Sequence, residues 1–198
     1  KDLANINTLK DMVVKAKYSG ADIVKIQSIK ANSLTKRDEY ESFRKYSDEY
    51  QRLASLELSI DDELEFIHHA KLHNITPMTT IFSPNHYDYF NSLGYDYLKL
   101  SGYSMRAFDW GNKLDKFNFK HLVFSTSSLH LHDIEKCIKN LQGVDFTILH
   151  CVCLYPTPFE KLNLQSIEHL KTLHDKVGFS DHSDNLLPSK LAIFQGID

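Results

Sequence analysis

The chain has 198 residues, of which 42% are hydrophobic and 25% charged, with a net charge of −3. That length buries a substantial core and normally forms one domain, and the composition is ordinary for a soluble globular protein. The mild negative charge gives no reason to expect nucleic acid or an anionic membrane as partner, and no apolar run approaches membrane-spanning length.

Leu9, Met12, Val13 and Ala16 share a helical face, so residues 9–18 read as a helix, stopped by Gly20. Residues 21–27 (ADIVKIQ) form a strand by their β-branched run. The polar and charged stretch from 28 to 56 reads as a long loop ending in a helix over roughly 46–56; charge-rich 38–49 reads as exposed. Ser59 with Asp61, Asp62 and Glu63 opens a helix that runs to His73. Strand 76–82, helix 85–93 and strand 95–100 follow, with Gly94 ending the helix. A short helix is expected near 108–114, then strand 121–126, helix 132–141, strand 145–152, helix 164–174 and strand 177–180. The last helix spans 186–194, with Pro188 in its first turn.

Six strands, each followed by a helix, predict an α/β chain with a parallel sheet. A TIM (β/α)8 barrel needs eight such units in roughly 250 residues. About six are present, so residues 1–198 read as a partial TIM-barrel domain. The rival is a flavodoxin-like open sheet, but no Gly-rich phosphate loop follows any strand.

Strand side chains alternate between faces. In ADIVKIQ, Ile23, Lys25 and Gln27 share one; in YLKLS, Lys99 and Ser101 do. The other strands place Thr80, Ser125, Cys153 and the pair Ser180/His182 at or near their C-terminal ends, where α/β barrels carry their chemistry. Two inward lysines are unusual, because a buried ammonium is costly unless an anion meets it. Hydroxyls at Thr80, Ser101, Ser125 and Ser180 would complete a pocket for a small, highly charged anion such as a phosphate ester. The plainer reading lets each lysine snorkel to the rim or pair with an acidic neighbour.

The remaining polar motifs carry less. A lone histidine such as His182 is more often a hydrogen-bonding residue than a metal ligand. Cys151 and Cys153 share a face, but no second cysteine pair supports zinc. His130/His132 and His68/His69 read as solvated surface residues. Three cysteines, an odd number, fit a reducing cytoplasm better than a disulfide scaffold.

Five motifs together carry a resemblance. Gly20-Ala21-Asp22-Ile23-Val24-Lys25-Ile26-Gln27, Lys99-Leu100-Ser101-Gly102, Ser125-Thr126, His150-Cys151 with Tyr155-Pro156-Thr157-Pro158, and Gly178-Phe179-Ser180-Asp181-His182 occur in order. In this, nearly the whole chain resembles the sialic acid (N-acetylneuraminate) synthase family, which includes legionaminate and pseudaminate synthases.

The resemblance implies a cytoplasmic transferase that condenses phosphoenolpyruvate with an N-acetylated hexosamine, typically N-acetylmannosamine. It implies a divalent metal, Mn²⁺ first and Mg²⁺ or Co²⁺ next, and a homodimer when full-length. By position, Lys25, Thr80, Lys99, Ser101, Ser125 and Ser180 would hold the phosphate and carboxylate of phosphoenolpyruvate, with Cys153 at a further substrate contact. Gln27 and Tyr155 would meet the sugar, and His182 would be one of two histidine metal ligands. Lys25, Lys99, Tyr155 and His182 are the expected catalytic set.

The chain also departs from the pattern. Cys153 stands where the family usually has asparagine, Tyr103 where it has glutamate, and Ser127-Ser128 where it has glycine-methionine; the run 99–102 is one residue short. Lys1 is not a methionine, and the family's first strand, with its catalytic glutamate, would precede it. The second metal histidine would follow Asp198, and the C-terminal antifreeze-like domain is absent, so the chain alone is expected to be an inactive fragment. A related phosphoenolpyruvate–aldose condensing enzyme and a non-catalytic anion-binding protein are the alternatives.

Overall fold

The structure is a computed structural model that describes residues 5–33 and 45–197. The charge-rich stretch from 38 to 44 therefore lies outside the described residues. The chain divides into two compact units, residues 1–96 and 97–198.

In the first unit α1 spans Ile6–Tyr18. It starts earlier than its apolar face suggests because Asn5 caps it, its side-chain oxygen accepting from the Asn7 N–H at 2.9 Å. Val13 is fully buried, whereas Met12, expected on the same face, is 49% exposed. Strand β1 (Ile23–Gln27) pairs in parallel with β2 (Thr76–Ile81), Lys25 beside Met78 and Gln27 beside Thr80. Between them lie α2 (Tyr46–Ala54) and α3 (Ile60–Leu72), the latter opened by a Ser59/Asp62 capping box. Helix α4 (Tyr87–Leu93) stops at Gly94, whose φ of 72° is the left-handed conformation glycine takes without a Cβ clash.

The second unit holds β3 (Tyr97–Leu100), β4 (His121–Ser125), β5 (Phe146–Cys151) and β6 (Val177–Ser180), paired in that order and all parallel. Helices α5 (Gly102–Ala107), α6 (Leu131–Asn140), α7 (Ser166–Leu173) and α8 (Leu187–Phe194) follow the strands in turn. Leu98, Leu100, Leu122, Phe124 and Ile148 are fully buried on one face of this sheet. The opposite face carries Lys99, Val123, Ser125, Thr147, Cys151 and Ser180.

One expected helix is displaced. In place of a helix over 108–114 the chain forms α5 immediately after β3, then a 3-10 stretch, Gly111–Lys116. Ser101 caps α5, its hydroxyl accepting from the Ser104 N–H at 3.1 Å, and the Trp110 indole donates to the Ser104 carbonyl at 2.9 Å. These local bonds outweigh the low helix propensity of Gly102.

Candidate active site

In the first unit the register puts Lys25, Gln27, Met78 and Thr80 on one face of the strand pair. Lys25 and Gln27 are exposed, while Val24 and Ile26 are half-buried. The alternation follows the sequence, but Lys25 is not buried, so the desolvation argument made for two lysines holds for one. Thr80 is 1% exposed, and its hydroxyl has no hydrogen-bond partner among the described residues. A buried hydroxyl left unpaired costs free energy, so Thr80 is a donor waiting for an acceptor.

The second unit gathers most of the predicted residues. Lys99 is half-buried, and burial lowers its pKa against a smaller opposing effect of Cys151 and Cys153. No described carboxylate lies within ion-pair distance of its ammonium. One strand over, Ser125 is 1% exposed and its hydroxyl accepts from the Gly102 N–H at 3.1 Å. Ser101 likewise accepts from Ser104. A hydroxyl that accepts from a backbone N–H keeps its own proton to donate. The ends of β3 and β4 thus offer one half-buried cation with no described carboxylate in reach and two serine hydroxyls with protons to donate, groups suited to receiving an anion.

Gly102 fits here for a steric reason. A Cβ at this position would lie 1.9 Å from the Ser127 carbonyl oxygen and 2.9 Å from that of Ser125. Only glycine lets the start of α5 approach the end of β4 closely enough for the Ser125 bond.

His182 has a defined tautomer. Its Nδ1 lies 3.0 Å from the Val152 carbonyl oxygen, which can only accept, so Nδ1 carries the proton. Nε2 is left with its lone pair, 3.5 Å from the Ser180 hydroxyl. The Tyr155 ring stacks on the imidazole with centroids 4.2 Å apart, and the Thr157 N–H donates to the His182 carbonyl at 3.0 Å. These contacts tie the loop after β5 to the end of β6. Cys153 is exposed, and the Tyr155 phenol is pushed up to about 12 by burial first and by Cys153 and Cys151 after it. Cys151 is buried, and burial raises its pKa against smaller lowering effects of the nearby Ser180 and Ser127 hydroxyls.

His182 thus presents the nitrogen a metal would need, its ring oriented by the Val152 carbonyl as metal-binding histidines are by an acceptor on their other nitrogen. The rest of a metal centre does not follow: among the described residues no three His, Cys, Asp or Glu side chains converge on one point. Tyr103, in the position of the family's glutamate, is 53% exposed on α5. His130 and His132 are exposed, as expected, and His69 is half-buried, its ring centroid 4.6 Å from that of His73. His150, quoted for its motif, faces the helices, donating to the Leu162 carbonyl at 2.8 Å.

The chain is 32% identical over 204 residues to N,N'-diacetyllegionaminic acid synthase of Campylobacter jejuni, covering 97% of this chain and 61% of that protein. It is 25% identical over 201 residues to N-acetylneuraminate-9-phosphate synthase of Drosophila melanogaster, covering 96% and 54%. The chain thus spans little more than half the length of these curated relatives. Among solved structures, the N-acetylneuraminic acid (sialic acid) synthetase of Leptospira borgpetersenii in complex with citrate matches with a TM-score of 0.86 at 20% identity, covering 99% of this chain and 67% of that one. That likeness is one of fold, the (β/α)8 barrel class, of which this chain carries six strand–helix units. A family description matches across residues 12–197, and by that match the chain belongs to the NeuB family.

Proposed function

We propose that the full-length protein condenses phosphoenolpyruvate with an N-acetylated hexosamine resembling N-acetylmannosamine, giving a nonulosonic acid and phosphate. The observation that carries this reading is Lys99, a desolvated ammonium with no described carboxylate in reach, at the same end of the β3–β4 pair as the Ser101 and Ser125 hydroxyls. The relatives named as legionaminic acid and neuraminate-9-phosphate synthases support the same sugar-acid chemistry.

In this reading Lys99, Ser101, Ser125 and Ser180 receive the phosphate and carboxylate of phosphoenolpyruvate. Lys25 and Thr80 join them by the family resemblance, and Gln27, Tyr155 and Cys153 contact substrate. The methylene carbon of phosphoenolpyruvate attacks the open-chain aldehyde carbon, forming the new C–C bond. Water then adds to the cationic carbon left behind, and phosphate departs by C–O cleavage. Lys99 stabilises the anionic donor and the departing phosphate. Holding both substrates in one orientation supplies much of the acceleration.

His182 Nε2 is our candidate for one donor to a divalent cation, Mn²⁺ in the first instance. Since the described residues bring no complete set of donors, no step is assigned to the metal. A cytoplasmic homodimer is the setting proposed for the whole protein; Cys137, Cys151 and Cys153 all carry free thiols, and no described helix is long and apolar enough to cross a membrane.

The test is a substrate panel. Full-length protein is given phosphoenolpyruvate, Mn²⁺ and a series of N-acetylated hexosamines and plain aldoses, and phosphate release is followed. Release with an N-acetylated hexosamine supports the proposal. Release only with a plain aldose transfers it to a related condensing enzyme, and donor binding without release to any acceptor marks a non-catalytic binding protein.

A further inference from the structure

Glu63 breaks the pattern of its own helix. The acidic first turn of α3 is the usual solvated kind at Asp61, which is exposed, yet Glu63 is 1% exposed. No lysine, arginine or histidine pairs with it among the described residues. Instead three hydroxyls converge on its carboxylate: Ser28 at 2.7 Å, Tyr89 at 2.8 Å and Tyr95 at 3.2 Å. Ser28, Thr79 and Tyr95 are each buried to within 1% of complete. Ser28 is further held by its backbone N–H, which donates to the Thr80 carbonyl and the Thr79 hydroxyl, each at 3.1 Å.

Ser28 directly follows Gln27, the last residue of β1, and the chain turns there, the Ile29 N–H donating to the Gln27 carbonyl at 2.9 Å. Burying a carboxylate against neutral donors is an expensive way to close a helix–sheet contact that apolar side chains could fill. What it provides is direction: Ser28 is held between the Glu63 carboxylate and the Thr79 hydroxyl, each 2.7 Å from its own hydroxyl oxygen, and this fixes the turn after Gln27.

We propose that Glu63 is a positioning residue that, through Ser28, fixes the side chain of Gln27 for the sugar acceptor. The inference rests on the reading of Gln27 as a sugar contact. Lys25 lies two residues back, held in the ladder beside Met78. The network meets Thr80, a proposed donor contact, only at its backbone carbonyl, which the Ser28 N–H keeps in either side-chain variant, so the acceptor bears the larger effect.

The experiment compares Ser28→Ala and Glu63→Gln with wild type in the full-length protein. Apparent KM is measured for the sugar and for phosphoenolpyruvate, together with kcat and the thermal midpoint. Ser28→Ala is included because it leaves the carboxylate two tyrosine donors and folds even if Glu63→Gln does not. The expected result is a sugar KM raised at least tenfold, with the phosphoenolpyruvate KM and kcat within about threefold of wild type. The double variant should be no worse than the more affected single variant, because both act on one network. A sugar KM unchanged in Ser28→Ala, or both KM values rising in step with a fallen midpoint, overturns the inference. Wild-type protein that turns over no acceptor overturns instead the reading on which it rests.

Discussion

The Nδ1 atom of His182 sits 3.0 Å from the carbonyl oxygen of Val152, a contact that joins the ends of β5 and β6 and decides which imidazole nitrogen is free. In the neutral ring, long-range ¹H–¹⁵N correlation spectra should show a protonated Nδ1 and a pyridine-type Nε2 for His182. Addition of Mn²⁺ should broaden the His182 resonances first. A protonated Nε2 in the neutral ring would contradict the assignment.

The pH dependence of donor binding follows from Lys99. Burial lowers its pKa, and a bound dianion favours the charged form and raises it again. Binding therefore takes up a proton wherever free Lys99 is partly neutral. Affinity for phosphoenolpyruvate should fall as pH rises through the free-state value, beginning below the 10.5 of an ordinary lysine. Titration calorimetry across the alkaline range in two buffers of different ionisation heat reads both the affinity and the proton uptake. Affinity flat up to pH 10 would refute it.

At the opposite end of the same strands, Asp145 accepts from Lys176 and from His121, the latter at 2.9 Å, and these bonds hold its carboxyl down to about 2. A depressed carboxylate pKa contributes stability that is present above its unfolded value of 3.8 and is lost as pH falls toward 2. Asp145→Asn should therefore lower the urea midpoint near pH 5, and the gap from wild type should narrow as pH falls through about 2. The pair is solvent-exposed, so the gap should also shrink in high salt. A gap independent of pH would mean the bonds are not ionic.

Gly102 gives a steric prediction. Its missing Cβ is what lets the Ser127 carbonyl approach, and backbone is costly to displace. Gly102→Ala should destabilise the protein by about 1–3 kcal/mol and move the Ser125 hydroxyl. Thermal unfolding checks the first effect, and a donor affinity that falls by more than the stability loss explains checks the second. A variant as stable as wild type would show that the close approach is not needed.

Much of this was legible in the sequence because both signals are local. Six strands and most of the helices after them follow from β-branched runs and apolar spacing, and strand alternation put Lys99 and Ser101 on one face, with the β3–β4 register adding Ser125. The misses arose where tertiary context decides. Helix α5 exists because of a serine cap and an indole bond, neither visible as periodicity. The exposure of Lys25 depends on what covers its strand, and Glu63 reads as an ordinary first-turn acid until Ser28, Tyr89 and Tyr95 are seen around it. The pairing of Tyr155 with His182 joins two loops 27 residues apart, a proximity that only the parallel β5–β6 pairing creates.

The account depends most on Lys99 meeting an anion. Calorimetric titration of phosphoenolpyruvate into the full-length protein and its Lys99→Ala variant tests this directly. At least tenfold weaker binding, a loss of about 1.4 kcal/mol, is predicted for the variant. Equal affinity in the two proteins would contradict the anion site and the chemistry built on it.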